Sequence, residues 1–106
     1  MKIALLYITH STQSEAIRII EPLITDKWIA CANYFPVSAS YWWEGKIESE
    51  DEFVSLIKTH PQNVNKIKKR IEETHPYEVP CIIHWEVEAN PKYAHWIYNS
   101  VISLAE

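Results

Sequence analysis

A handful of histidine, lysine, tyrosine, carboxylate and thiol groups carry whatever chemistry this chain can offer. His75 stands in Thr74-His75-Pro76-Tyr77-Glu78-Val79-Pro80, a loop stiffened by two prolines. An imidazole there lines a pocket, ligates a metal or hydrogen-bonds a backbone carbonyl through its ring. His10 lies two residues past Ile8, so on a strand both point to one face. Lys58 shares a strand face with Val54 and Leu56. An ammonium on an otherwise apolar face either snorkels to water or meets an anion in a pocket. Tyr41 and Trp43 share a face, with Trp42 on the other, as interface packing or as a pocket wall. Glu48, Glu50 and Glu52 alternate on one face with Asp51 opposite. Such a row attracts cations or keeps a strand edge solvated and unsuited to wrong pairing.

Nucleophilic catalysis needs a nucleophile beside a base that is itself held in place. Cys31 and Cys81 have no CxxC spacing, and His84, three residues past Cys81, falls on the opposite strand face. The two cysteines read as buried, reduced thiols acting as small apolar groups. An enzymatic alternative would use His75, Tyr77 and Lys58 as acid–base groups on a small anionic substrate, which demands shifted pKa values. Gly45 is the sole glycine, so the glycine-rich phosphate loops of nucleotide enzymes are absent.

These residues must be positioned by one domain, since 106 residues leave no room for two. A hydrophobic share of 47% with 23% charged residues is globular composition. A net charge of −4 gives no drive toward a phosphate backbone, so nucleic acid is not an expected partner. No apolar run is long enough to cross a bilayer, and no membrane partner is expected. The start, Met1 to Ile8, reads as a strand and not a signal peptide, which makes the cytoplasm the expected compartment. Thirteen aromatics, 12% of the chain, exceed what one small core absorbs and imply an interface or a pocket.

Residues 2–9 read as a buried strand. Thr12 and Glu15 have the spacing of a reciprocal capping box. The helix they open carries Ile17, Ile20 and Ile24 on its apolar face, and Pro22 should kink or break it. Residues 30–41 and 46–59 form a hairpin about Trp43-Glu44-Gly45-Lys46, with Pro36 arguing for an edge or a bulge. Its arms exceed the usual strand of about five to six residues, so the overhang should pair with a neighbouring subunit. Pro61 opens a second helix to about Glu73, with Val64, Ile67 and Ile71 buried. Lys66, Lys68, Lys69 and Arg70 lie mostly on its solvated face. A strand at 81–88 and a helix after Pro91, contacting through Tyr93, Trp96, Ile97 and Val101, complete the order β-α-β-β-α-β-α. That is an α+β fold, a ferredoxin-like split β-α-β sandwich with an extended hairpin and an added C-terminal helix. It puts Cys31 and Cys81 on opposite sheet edges, too far apart for an intrachain disulfide.

Ala30-Cys31-Ala32-Asn33, Ser40-Tyr41-Trp42-Trp43-Glu44-Gly45-Lys46, Leu56-Ile57-Lys58-Thr59, His75-Pro76-Tyr77-Glu78-Val79-Pro80 and Tyr93-Ala94-His95-Trp96, in that order, resemble the CutA family. That family is named for divalent-cation tolerance, and the match runs from about Ile3 to Ser103. The resemblance implies a tight homotrimer whose hairpins complete sheets across subunits, an architecture similar to PII signalling proteins, and no shared enzymatic reaction. It implies a pocket between subunits, here drawing on Tyr41, Trp43, Lys58, His75 and Tyr77, for a small ligand or a divalent metal such as Cu or Zn. No cofactor is required. The chain departs from the family at the proposed copper ligands: Ile8 stands for a first-strand Cys and Thr74-His75 for a His-His pair. If the fold brings the end of the first strand to the loop, His10 joins His75 in partly replacing those ligands.

Overall fold

Alternate residues of β1 (Lys2–His10) point to one face of a sheet, where Ala4, Leu6, Ile8 and His10 are fully buried. The computed structural model describes residues 1–104. The chain leaves β1 into α1 (Gln13–Thr25), where the Thr12 hydroxyl accepts the Glu15 N–H at 3.1 Å. The return half of the expected capping box is not made. The Glu15 carboxylate instead takes two bonds, 2.8 and 2.9 Å, from the Arg18 guanidinium. Nor does Pro22 break the helix, which runs on to Thr25. Pro22 and Arg18 are both exposed, so the Arg18 carbonyl that loses its N–H partner faces water. The buried stripe is Ala16, Ile19, Ile20 and Leu23, and Ile17, expected inside, is 39% exposed.

β2 (Cys31–Trp43) and β3 (Lys46–Thr59) are joined by Glu44-Gly45, with φ of 50° and 78°. Positive φ at both central residues is the turn whose twist matches a two-residue hairpin. A 3-10 turn, Pro61–Asn63, leads into α2 (Val64–Thr74), which buries Val64, Ile67 and Ile71 as expected. β4 (Ile82–Glu88) and α3 (Pro91–Ser100) follow. The sheet order is β2-β3-β1-β4 with every pairing antiparallel, the expected ferredoxin-like arrangement. Pro36 lies on the edge strand β2, the sheet position where a residue without an N–H is tolerated. Cys31 and Cys81 are free thiols at the two sheet edges.

α1 and α2 cover one sheet face, with Ile20, Leu23, Ile67 and Ile71 against Leu6, Ile8 and Ile57. α3 covers one end of the other face through Ala94 and Ile97, packed on Ile3 and Leu5. Of the contacts expected from this helix, Ile97 is buried, Trp96 is 49% exposed and Val101 lies beyond the helix end. Arg70, expected among solvated lysines, stacks on Trp28 at 4.5 Å and pairs with Asp26 at 2.8 Å. Buried Asn63 holds the Trp28 and Ile102 carbonyls and the Leu104 N–H.

β3 pairs with β1 only from Phe53 to Thr59. Residues 46–52 pair with β2 alone, so the distal half of the hairpin projects past the helices. The molecule is accordingly elongated, 44 × 26 × 23 Å.

Candidate functional site: an aromatic and acidic groove

Where the hairpin leaves the body, it forms one wall of an open groove of about 720 Å³. Tyr41 and Trp43 come from β2, Glu50 and Glu52 from β3, and Tyr77 and Cys81 from the segment before β4. Directly paired residues point to one face, so Tyr41 opposite Glu48 stands in the same layer as Glu50 and Glu52. The far wall exists because α2 cannot pass Pro76. His75 adopts φ −73°, ψ 133°, and its N–H closes the helix on the Ile71 carbonyl at 2.8 Å. The chain then turns Tyr77 back toward β3.

Two phenol–carboxylate pairs set the electrostatics. The Tyr77 hydroxyl donates to Glu52 at 2.8 Å, and the Tyr41 hydroxyl donates to Glu50. The bond to Glu50, with lesser effects of burial and nearby carboxylates, pushes Tyr41 up to about 12. Burial, then the bond to Glu52, raises Tyr77 further. Burial likewise pushes the Cys81 thiol up. At neutral pH the groove therefore offers protonated phenols and a protonated thiol, and neither phenol serves as a base. No Lys, Arg or His lines it.

His10 and His75 do come together, stacked at 5.3 Å. His75 Nε2 donates to the Thr9 carbonyl at 2.8 Å, and its Nδ1 accepts the Tyr77 N–H at 3.1 Å. Both nitrogens are thus given to the backbone, the structural role among the expected alternatives. His10 Nε2 bonds Ser55 Oγ at 2.8 Å, and its Nδ1 is buried without a partner. Burial first, then His75, hold His10 down to about 4, against a smaller opposing effect of Glu15. One free imidazole nitrogen does not make the three or four ligands Cu or Zn requires. Among the described residues no group of three His, Cys, Asp or Glu is placed to hold a metal ion. The expected His10–His75 metal site does not fit this donor set.

Lys58 is not in the groove. Eight residues along β3 from Glu50, at about 3.3 Å per residue, it lies about 26 Å away. The proposed acid–base set of His75, Tyr77 and Lys58 is therefore not assembled within one chain. Glu52, read from sequence as a solvated edge residue, is 7% exposed. Its position just before Phe53, where pairing with β1 begins, is the signal that it would be covered.

The pattern of the CutA1 divalent ion tolerance protein family matches residues 4–100. The divalent-cation tolerance protein CutA of Pyrococcus horikoshii is 38% identical over 94 residues, 88% of this chain and 92% of that one. The crystal structure of CutA1 from the same organism superposes with a TM-score of 0.90 at 36% identity, covering 94% of this chain and 99% of that one. The PII-like protein CutA from Nostoc sp. PCC 7120 gives a TM-score of 0.86 at 31% identity, covering 97% and 99%. By sequence and by fold, this chain belongs to the CutA1 divalent ion tolerance protein family.

Proposed function

We propose that three copies of this chain assemble and bind a small ligand or a divalent cation in the clefts where hairpins meet neighbours, in the service of divalent-cation tolerance. The observation that carries this reading is the half-hairpin of residues 46–52, which pairs with β2 alone and carries the groove. Its outer edge offers unpaired N–H and C=O groups to another copy. We read the role as binding rather than turnover, a reading supported by two phenols held protonated and engaged with Glu50 and Glu52 in the groove wall.

Because the histidine pair does not supply a metal's ligand set, we place any cation at Glu50 and Glu52 with its further ligands drawn from a neighbouring copy, since no three such side chains gather among the described residues of one chain. Their oxygens suit a hard divalent ion better than Cu(I). No helix among the described residues is long and apolar enough to cross a membrane. We place the protein in the cytoplasm, where two free thiols persist. The relative from Archaeoglobus fulgidus is described as periplasmic, so fractionation of the native cell is the check on compartment.

Light scattering at micromolar chain tests the assembly and should give the mass of three chains. Calorimetry with Cu(II), Zn(II) and Mg(II) on the same sample, and native mass spectrometry for co-purifying molecules, test the cleft. Binding lost in Glu50→Gln and Trp43→Ala is expected. A folded single chain, or binding indifferent to both substitutions, overturns the proposal.

A further inference from the structure

α3 ends at Ser100, and residues 101–104 run on without regular structure. They are held by a pattern of bonds that belongs to strand pairing. The Ile102 N–H donates to the Lys27 carbonyl at 2.8 Å, and the Ile102 carbonyl accepts from Asn63 Nδ2 at 2.9 Å. Two residues on, the Leu104 N–H donates to Asn63 Oδ1 at 2.9 Å. In an extended chain the N–H and C=O of one residue and the N–H two residues later lie along one edge. One backbone carbonyl and one side-chain amide thus read this segment as a neighbouring strand would.

The groups that read it are set in place without it. α1 closes in a Schellman turn, with the Lys27 N–H on the Ile24 carbonyl at 3.0 Å and the Trp28 N–H on the Leu23 carbonyl at 2.9 Å. Lys27 takes the left-handed position of that turn, at φ 60°, and its own carbonyl lies past the helix end, where it meets Ile102. The Trp28 carbonyl accepts the Thr59 hydroxyl at 2.8 Å and one Asn63 N–H at 3.3 Å, and the Trp28 ring stacks with Arg70. Asn63 is fully buried, with its backbone N–H on the His60 carbonyl at 3.0 Å. The result is a slot between the α1–β2 and β3–α2 connections. Thr59 stands opposite Ala4 on β1, five residues from the Thr9 that lines the groove, so slot and groove are about 16 Å apart along the strand.

The segment in the slot is lightly anchored. Leu104 packs against the core while only partly buried, and Ile102 is 45% exposed. Three hydrogen bonds and one partly buried leucine stand against the ordering of the segment, so its release takes less than opening the sheet. An emptied slot is left unsatisfied, because the Asn63 amide loses two partners and the core surface under Leu104 is uncovered. A replacement must again offer an extended backbone that ends on an apolar side chain.

We infer that residues 101–104 are a releasable latch seated in a peptide-binding slot, and that the slot's exchange partner is an extended segment of another protein with a large aliphatic residue in the place of Leu104. Asn63 and the Lys27 carbonyl select the backbone, and the core surface under Leu104 selects the side chain. This site does not depend on the groove or on what the groove holds.

The test uses the full chain and the capped peptide acetyl-Ser-Val-Ile-Ser-Leu-amide, the sequence of residues 100–104. Amide hydrogen exchange at Ile102 and Leu104 should run at least about a hundredfold faster than in the central strand β1, as local release requires. In ¹H–¹⁵N spectra of Leu104→Ser, which loosens the latch and leaves the slot intact, the peptide should saturably shift the Asn63 side-chain amide and the Trp28 backbone. Its affinity there should exceed that for the parent by at least about tenfold, because the parent's own segment competes from within the chain. The same peptide N-methylated at its leucine lacks the N–H that Asn63 Oδ1 accepts and should bind at least about fivefold more weakly, as should a peptide with serine in place of that leucine. Both peptide changes leave the protein untouched, so they report on the slot even where Asn63→Ala does not fold. A segment with a purely structural role gives no saturable shift in Leu104→Ser, and that result overturns the inference. So does exchange at Ile102 and Leu104 as slow as in β1, or equal binding of the N-methylated peptide. Shifts at Asn63 and Trp28 that follow protein concentration with no peptide present also overturn it, since the occupant is then the same segment of a second copy.

Discussion

The buried pair of histidines is the residue-scale feature with the clearest consequence. His10 is 0% exposed and its pKa is held down to about 4, below the ordinary 6.5. A group whose folded pKa is depressed binds more protons when unfolded, so its contribution is complete above about pH 6.5 and is lost as pH falls toward 4. Each pKa unit corresponds to about 1.4 kcal/mol, which puts the loss across that window on the order of 2–3 kcal/mol. Urea midpoints at pH 7 and pH 5 should differ for the parent protein and differ less for His10→Gln. An equal pH dependence in both would remove His10 from the explanation. Tyr77→Phe makes a second case, because it leaves the buried Glu52 carboxylate without its 2.8 Å donor. A cost of about 1–3 kcal/mol in urea unfolding is expected. The contrast between these residues shows what a single sequence conveys about a site. The approach of His10 to His75 was open to inference, because a strand end and a post-helical loop meet in this topology. That His75 gives both nitrogens to backbone was not, since it depends on where the Thr9 carbonyl and the Tyr77 N–H fall.

Elements were legible where local chemistry dominates. The hairpin turn and the Thr12 cap rest on groups within four residues of one another and form at the expected place, while Pro61 opens a 3-10 turn and the α-helix expected from it begins three residues later at Val64. The break that Pro22 could have caused does not occur, because its penalty depends on exposure. An interior proline is severe where the orphaned carbonyl is buried, and mild where it meets water. The helix still lacks one bond, so Pro22→Ala should raise stability by about 1–2 kcal/mol, less than the full interior penalty of about 3. A thermal midpoint unchanged or lowered by this substitution would show that the ring itself packs usefully. At the turn, Gly45 has φ +78° and open space around a would-be Cβ. Gly45→Ala therefore tests backbone conformation without a steric clash, and a loss of about 1 kcal/mol is expected. Glu44, also at positive φ, should gain a few tenths of a kcal/mol on Glu44→Asn, a residue better suited to that region.

At the scale of the molecule, the sheet order followed from the sequence of elements, but the destination of the distal hairpin did not follow from one chain. Trp42 is 72% exposed and Ile47 is 66% exposed, and they are direct cross-strand partners on one face of the ribbon. On the other side of the ribbon Tyr41 and Trp43 line the groove. Both faces of a ribbon that no helix covers thus carry large apolar groups, which isolated domains rarely present together. Burying one Trp removes about 150–250 Å² from water, worth about 4 kcal/mol or more at about 25 cal/mol per Å². Repeated in each copy, that term is large enough to decide whether copies stay together. Trp42→Glu combined with Ile47→Lys tests this directly. The new side chains form an opposite-charge cross-strand pair, so the ribbon keeps a favourable contact at that register. The core of α1, α2 and β1 lies elsewhere and should keep its circular dichroism and cooperative unfolding. Light scattering at micromolar chain should then fall from the mass of an assembly to that of one chain, while the parent stays assembled. An unchanged mass in the double variant would place Trp42 and Ile47 outside the seam and leave the unpaired edge of residues 46–52 as the remaining contact that could join copies.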